Sequence, residues 1–265
     1  MKPLIVANWK MNPSSQKEAE DIFEGIKNGI SGTSAEVVVC PPFVFLAELK
    51  GLTLGAQNVY SEEKGAFTGE ISGAMLKDLG VEYVLIGHSE RRKYFNETDE
   101  SVNKKIKKAL ESGLKVIFCI GETAQERNEG KKEEVLERQL KQGLKNIELA
   151  GVRHPLTSGC LTPASNIKDV NIAYEPVWAI SSGDPYKTKE LPTTEKVKEI
   201  SFFIRNLLAK IYNQETAEKI RIIYGGSANS ENAQGYLKDA GMQGLLVGGA
   251  SLSAEEFIKI IKSAE

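Results

Sequence analysis

One carboxylate organises the chemistry that this sequence can perform. Glu175 follows Asn171, Ile172, Ala173 and Tyr174, a short β-prone run, and precedes Pro176, which removes a ladder donor and fixes φ. The acid therefore stands at the C-terminal lip of a strand. Flanked by Tyr174, Pro176 and Trp178, it is set to lose water, which favours its proton-bound form and suits a general base. Taken alone, it reads as a solvated acid at a strand end.

Other groups reach comparable lips. Asn8 and Lys10 follow the first apolar run, His88 and Glu90 follow the fourth, and the turns Gly225-Gly226-Ser227 and Gly248-Gly249 follow the seventh and eighth. Singly, His88 is a strand-end histidine satisfied by backbone, Lys10 an exposed cation, and a Gly-Gly pair a tight turn. Jointly, a carboxylate, an imidazole and an ammonium facing one ligand suit proton abstraction beside a carbonyl, where a developing enediolate needs donors and positive charge. Glycine turns after two consecutive late strands let backbone N–H groups approach an anion, which points to a phosphate ester. The pattern requires neither a nucleophile nor a metal, and no cofactor is expected.

These groups share one rim only if the elements between them alternate. Apolar runs at 2–7, 37–40, 52–57, 81–86, 114–120, 171–174, 221–224 and 245–247 read as strands. Between them lie helical stripes: Ala19, Ile22, Phe23 and Ile26; Val102, Ile106, Ala109 and Leu110; Leu136, Leu140, Leu144 and Ile147 on one long charged helix; and Val197, Ile200, Ile204 and Leu207. Ser15 with Glu18, and Ser253 with Glu256, offer capping boxes, and Thr193 or Thr194 a further cap. A short helix is expected after Pro41-Pro42. Eight strands alternating with helices is the count of a closed (β/α)8 barrel, expected here as a single α/β domain over 1–265. Residues 58–72 make a loop too long for a tight connection. Residues 151–169, with His154 and Cys160, connect a helix to strand six on the face opposite the chemistry.

Composition narrows the partners. Lys plus Arg number 34 and Asp plus Glu 36, a formal charge of −2 without long runs, so neither a nucleic-acid surface nor an anionic membrane is favoured. Three widely separated cysteines, Cys40, Cys119 and Cys160, suit neither a zinc site nor a disulfide framework, and reduced thiols in the cytoplasm fit best. Met1 leads at once into the first strand with no basic n-region or 18-residue apolar span, so an unexported protein is expected.

The chain closely resembles the triosephosphate isomerase family along nearly its whole length. The motifs are Asn-Trp-Lys-Met-Asn at 8–12, Gly-Ala-Phe-Thr-Gly-Glu at 65–70, Gly-His-Ser-Glu-Arg-Arg at 87–92 and Cys-Ile-Gly-Glu-Thr at 119–123. Ala-Tyr-Glu-Pro-Val-Trp-Ala-Ile at 173–180 and Tyr-Gly-Gly-Ser at 224–227 complete the set. The resemblance implies a TIM barrel, and a glycolytic and gluconeogenic isomerase of dihydroxyacetone phosphate and glyceraldehyde 3-phosphate. Glu175 would be the base, His88 would polarise the carbonyl, Lys10 would offset the enediolate's charge, and Asn8 and Glu90 would position their neighbours. This enzyme is itself a well-worked case of a glutamate base, a neutral histidine electrophile and a closing loop, so these roles come with the resemblance. It also implies that N–H groups of Ser181, Ser227, Gly248 and Gly249 hold the phosphate, and that loop 58–72 enters a second copy, bringing Thr68 near the partner's Asn8 and His88 in a homodimer.

Two departures stand out. Where the family usually carries Gly-Thr-Gly in the lid, this chain has Ser181-Ser182-Gly183, then a stretch to Pro192 several residues longer than usual with Pro185 stiffening it. A lid that still closes at an altered rate is expected, and the insertion at 151–169 should leave catalysis unaffected. Two other readings fit the same residues. One is a phosphate-binding barrel scaffold whose altered lid has impaired catalysis. The other is a different phosphosugar isomerase or lyase on the same fold.

Overall fold

The computed structural model describes residues 1–148, 166–180 and 191–265. Eight parallel strands close into a barrel in chain order: β1 (Leu4–Asn8), β2 (Glu36–Cys40), β3 (Thr53–Ala56), β4 (Tyr83–Ile86), β5 (Lys115–Ile120), β6 (Val170–Tyr174), β7 (Ile222–Tyr224) and β8 (Gly244–Val247). β1 makes the closure. It pairs with β2 from Leu4↔Glu36 to Asn8↔Cys40, and with β8 from Leu4↔Gly244 to Ala7↔Val247. Because every pair is parallel, all eight C-terminal ends open on one rim.

The strands read as unbroken apolar runs because both faces are covered. Leu4, Val6, Val38, Cys40, Leu85 and Ile117 pack together inside the barrel. Their neighbours Ile5, Ala7, Val37, Val39, Val84 and Ile86 pack outward with the helices. This is the period of two expected of a pleated strand.

Among the described residues the helices are α1 (Gln16–Gly29), α2 (Gly73–Asp78), α3 (Ser89–Tyr94), α4 (Asp99–Glu111), α5 (Ala124–Asn128), α6 (Lys132–Gly143), α7 (Thr194–Ile211), α8 (Gln214–Lys219) and α9 (Ala254–Lys262). Burial decides most of their positions. On α9, Phe257, Ile260 and Ile261 are fully buried; at about 1.5–3 kcal/mol each, they outweigh the single cap from Ser253, which is worth about 1 kcal/mol.

Four local expectations change. Ser15 accepts from Glu18 N without the return bond of a capping box. The long charged helix is broken into α5 and α6 because Gly130 takes φ 71°, a left-handed turn that glycine alone adopts readily; Leu144 and Ile147 are still buried, but beyond the end of α6. After Pro41-Pro42 there is one 3₁₀ turn, Phe43–Phe45. The Ser253 cap forms only its first half, because the Glu256 carboxylate accepts from Ser230 N at 2.7 Å and from Ser230 Oγ at 3.1 Å, tying α9 to the loop after β7. Thr193 is the N-cap of α7. No helix among the described residues is long and apolar enough to cross a membrane.

At the opposite, N-terminal mouth, Glu36 accepts from the Tyr83 hydroxyl and from Arg221 Nη2 at 2.8 Å, with Lys115 Nζ 3.6 Å away. Burial pushes this carboxyl up, but the Tyr83 hydrogen bond and the Arg221 and Lys115 charges outweigh burial and hold it below the ordinary 4.5. A carboxyl lowered by folding contributes fully above its unfolded value and loses that contribution as pH falls through its folded value. Urea midpoints should therefore fall as pH drops below 4.5, and less steeply in Glu36→Gln than in the wild type. Parallel curves would contradict the assignment.

Candidate active site

The first strand delivers Asn8, buried, and then Lys10 with φ 54°, a left-handed backbone that a non-glycine residue adopts only when its surroundings impose it. The constraint is visible. Lys10 N donates to Asn8 Oδ1 at 3.1 Å, and Gln57 Nε2 donates to Lys10 O at 2.8 Å and to Cys40 O at 2.9 Å. The ammonium then reaches Glu90 Oε1 at 2.6 Å.

β4 delivers His88 and α3. The His88 side chain caps α3, its Nδ1 accepting from Glu90 N at 3.2 Å. An acceptor Nδ1 leaves the proton of a neutral ring on Nε2, which lies 3.3 Å from Glu175 Oε1. No residue of α3 is buried, so hydrophobic packing does not hold it. Polar contacts do. Arg92 donates from Nε to Gly87 O at 2.8 Å and from Nη1 to Asp99 Oδ1 at 2.6 Å, while Arg91 Nε and Lys105 Nζ both lie 2.5 Å from Glu97 Oε1. Burial raises the Glu97 carboxyl, and the Lys105 and Arg91 contacts overcome it to hold the group below the usual range.

β6 delivers Glu175, whose side chain is almost wholly buried. Its N–H donates to Ile120 O at 2.7 Å, and Oε2 accepts from Ser89 N at 3.0 Å, the first N–H of α3. Two glycines make room for it: a Cβ on Gly121 would lie 1.7 Å from the Glu175 carbonyl oxygen, and one on Gly225 would lie 2.8 Å from Glu175 Cγ. The Cys119 thiol sits beside the carboxylate, and burial first, then the Glu175 charge, push it well up from its ordinary range.

The flanking aromatics serve a different acid. Tyr174 Oη donates to both Glu122 carboxylate oxygens at 3.1 and 3.2 Å, and Trp178 Nε1 donates to Glu122 Oε1 at 2.8 Å. Arg127 covers the indole, 3.7 Å from the ring centre. Burial pushes the Glu122 carboxyl up, opposed in part by these two donors. The enclosure of Glu175 comes instead from the backbone of β5, from Ser89 and from Gly225.

Two hollows adjoin. A cavity of about 250 Å³ is lined by Asn8, Lys10, His88, Ser227, Gly248 and Gly249. A larger one of about 600 Å³ lies among α3, β5 and α5, with Glu175 and Ser89 on its wall. The smaller is the better reaction site, because the imidazole, the ammonium and the open glycines converge there. A Cβ on Gly249 would meet nothing within 4 Å, whereas one on Gly226 would strike the Tyr224 hydroxyl at 2.2 Å. The pair after β7 is therefore required by packing, and the pair after β8 leaves backbone open to the cavity. Ser227 N and Oγ both donate to Ala179 O, at 3.2 and 2.6 Å. Ser181, with the rest of the altered lid at 181–190, lies outside the described residues, as do His154, Cys160 and most of the 151–169 connection.

Of the residues expected from sequence, Asn8, Lys10, His88, Glu90, Glu175, Ser227, Gly248 and Gly249 therefore stand at one rim. Gln57, Ser89 and Glu122 were missed. Ser89 was legible as the N-terminal N–H of a helix beginning beside a histidine; Gln57 and Glu122 act only through partners distant in sequence.

The profile of the family described as triosephosphate isomerase matches residues 3–264. The chain belongs to that family. Relatives named triosephosphate isomerase include those of Alkaliphilus oremlandii, 45% identical over 266 residues and 98% of each chain, and Caldanaerobacter subterraneus subsp. tengcongensis, also 45% identical over 266 residues and 98% of each chain. That of Dictyoglomus thermophilum is 42% identical over 268 residues and 99% of each chain. Membership in the triosephosphate isomerase family agrees with the closed barrel and with the set of groups at its rim.

Replacing Glu122 by Ala orphans the Trp178 and Tyr174 donors, and an unmet buried donor costs about 1–3 kcal/mol. Glu122→Ala should melt several degrees lower and shift Trp178 emission. Unchanged emission would mean that Glu122 does not hold the indole.

Proposed function

We propose that this chain interconverts dihydroxyacetone phosphate and D-glyceraldehyde 3-phosphate by proton transfer through an enediolate, with Glu175 as the base. The carboxylate takes a proton from the carbon beside the carbonyl, and the C–H electron pair becomes the enediolate double bond as the carbonyl oxygen gains charge. Nε2–H of His88 donates to that oxygen, and the Lys10 ammonium offsets the charge. Returning the proton to the adjacent carbon, with the hydroxyl proton passing between the two oxygens, completes an isomerisation with no net redox change. Asn8 orients Lys10 through the backbone, and Glu90 does so through its carboxylate while its N–H fixes the imidazole tautomer. Backbone N–H groups of Ser227, Gly248 and Gly249, with Ser181 from the lid, hold the phosphate; Ser227 must exchange its Ala179 contact to do so.

The observation that carries this reading is the 3.3 Å separation of His88 Nε2 from Glu175 Oε1 beside a cavity lined by Lys10, by Gly248 against the lysine stem, and by the open Gly249. It favours an enzyme over a phosphate-binding scaffold, because binding phosphate needs no buried carboxylate against an imidazole. In a coupled assay with glyceraldehyde 3-phosphate, Glu175→Gln should lose about 10²–10⁴-fold in turnover, the usual worth of a positioned base. Equal rates for variant and wild type would leave the scaffold reading.

The whole of 1–265 acts as one domain in this proposal, in the cytoplasm and as a homodimer. Support for the dimer comes from the fully projecting segment 62–70, closed at its base by Tyr60 N donating to Ile71 O at 2.8 Å and stiffened by the Tyr60–Phe67 ring contact. Met11, Phe67, Met75, Tyr94 and Phe95 stand exposed, apolar area that a second copy would cover in this proposal. Thr68 at the loop tip then approaches the partner's site. Sedimentation should give twice the 29.0 kDa chain mass, and Phe67→Asp should shift the protein toward monomer; a monomeric wild type would refute the dimer.

A further inference from the structure

The turn that follows β7 is supported from beneath by residues far from the reacting atoms. Tyr224, wholly buried, lies under Gly226, where a Cβ would come within 2.2 Å of its hydroxyl. Its ring packs against Tyr236, centre to centre 4.1 Å and tilted 31°. Tyr236 is itself buried and donates from its hydroxyl to Pro192 O at 3.1 Å. It belongs to a wide π-type turn, Gly235–Asp239, in which Ala240 N reaches back to Gly235 O at 3.0 Å. One extra residue in such a turn re-aims the side chains around it. One helical turn earlier, Asn232 Nδ2 donates to Ser227 O at 3.3 Å. A single segment thus grips the Gly225–Ser227 turn twice, at the Ser227 carbonyl through Asn232 and under Gly226 through the tyrosine pair.

We propose that Tyr236 is a positioning residue for the phosphate subsite: through Tyr224 it sets the height of the Gly225–Ser227 turn, and with it the place from which the Ser227 N–H exchanges Ala179 O for the anion. It touches neither substrate nor base. The inference rests on the isomerase reading only for the identity of the ligand, since the geometry concerns an anion-binding turn. A turn resting on a phenol cannot sink without moving the stack, and Pro192 O fixes the far end of that stack. Loss of the ring should therefore weaken anion binding while leaving the distance between His88 and Glu175 unchanged.

The test compares Tyr236→Leu, which removes ring and hydroxyl, with Tyr236→Phe, which keeps the stack, and with Asn232→Ala, which releases the Ser227 carbonyl. Inorganic phosphate is the probe, titrated by calorimetry, alongside kcat and KM for glyceraldehyde 3-phosphate and melting curves. Tyr236→Leu should bind phosphate up to about tenfold more weakly and raise KM in proportion, with kcat within about twofold, because an aromatic pair is worth up to about one decade. Tyr236→Phe should recover most of that loss. Asn232→Ala, which leaves the tyrosines in place, should also weaken phosphate binding, and Tyr236→Met, a bulkier side chain without a ring, keeps the test decisive if the leucine variant does not fold. Phosphate affinity equal to wild type in Tyr236→Leu, or in Tyr236→Met where the leucine variant does not fold, overturns the inference, as does a fall in kcat with phosphate affinity unchanged. If the wild type binds phosphate and the variants weaken it, but no triose phosphate is turned over, the positioning role stands and the isomerase reading falls.

Discussion

The parallel ladder between the first and last strands is the constraint on which the rest depends. Leu4 through Ala7 pair with Gly244 through Val247 on one side and with Glu36 through Val39 on the other, which turns an open twisted sheet into a ring. Gly244 shows how tight that seam is. A Cβ there would lie 2.0 Å from the Leu4 carbonyl oxygen, and its φ of 158° is one that side chains rarely take. Closure brings Lys10, His88 and Glu175 to one mouth although they are far apart in the chain, and it sets the glycine turn after β8 next to the lysine after β1.

Within that ring, two kinds of force divide the work. Apolar burial on both faces of the strands holds the frame and tolerates exchanges of similar volume. The site-bearing elements are held differently. α3 has no fully buried residue, and stands on arginine contacts to Gly87 O, Asp99 and Glu97. Lys10 keeps a strained backbone only because Asn8 and Gln57 hold it. Polar networks of this kind have narrow geometry, and each part left unmatched is costly. They are therefore better suited than packing to fixing the orientation of an imidazole and a carboxylate.

The two carboxylates of the β5–β6 rim illustrate how environment separates roles. Glu122 is fully buried and receives Tyr174 and Trp178, so it anchors the aromatic residues on either side of Glu175. Glu175, five residues from the Ile180 that precedes the lid's altered stretch, keeps one oxygen on Ser89 N and turns the other toward His88. One acid is committed to structure and the other has an oxygen available for chemistry, though both sit at the ends of neighbouring strands.

Read alone, the amino-acid order determined the eightfold alternation, the strand ends at which Asn8, Lys10, His88, Glu90 and Glu175 stand, and the family. Apolar period and turn residues are local properties, and local properties survive in a linear text. Tertiary structure alone decided that Trp178 and Tyr174 serve Glu122 and not Glu175, that Glu256 leaves its cap for Ser230, and that Gly225 is demanded by Glu175. Each of these is a contact across tens of residues. Its outcome depends on which of several competing donors or neighbours comes nearest once the barrel has closed, and a one-dimensional pattern carries no distance of that kind.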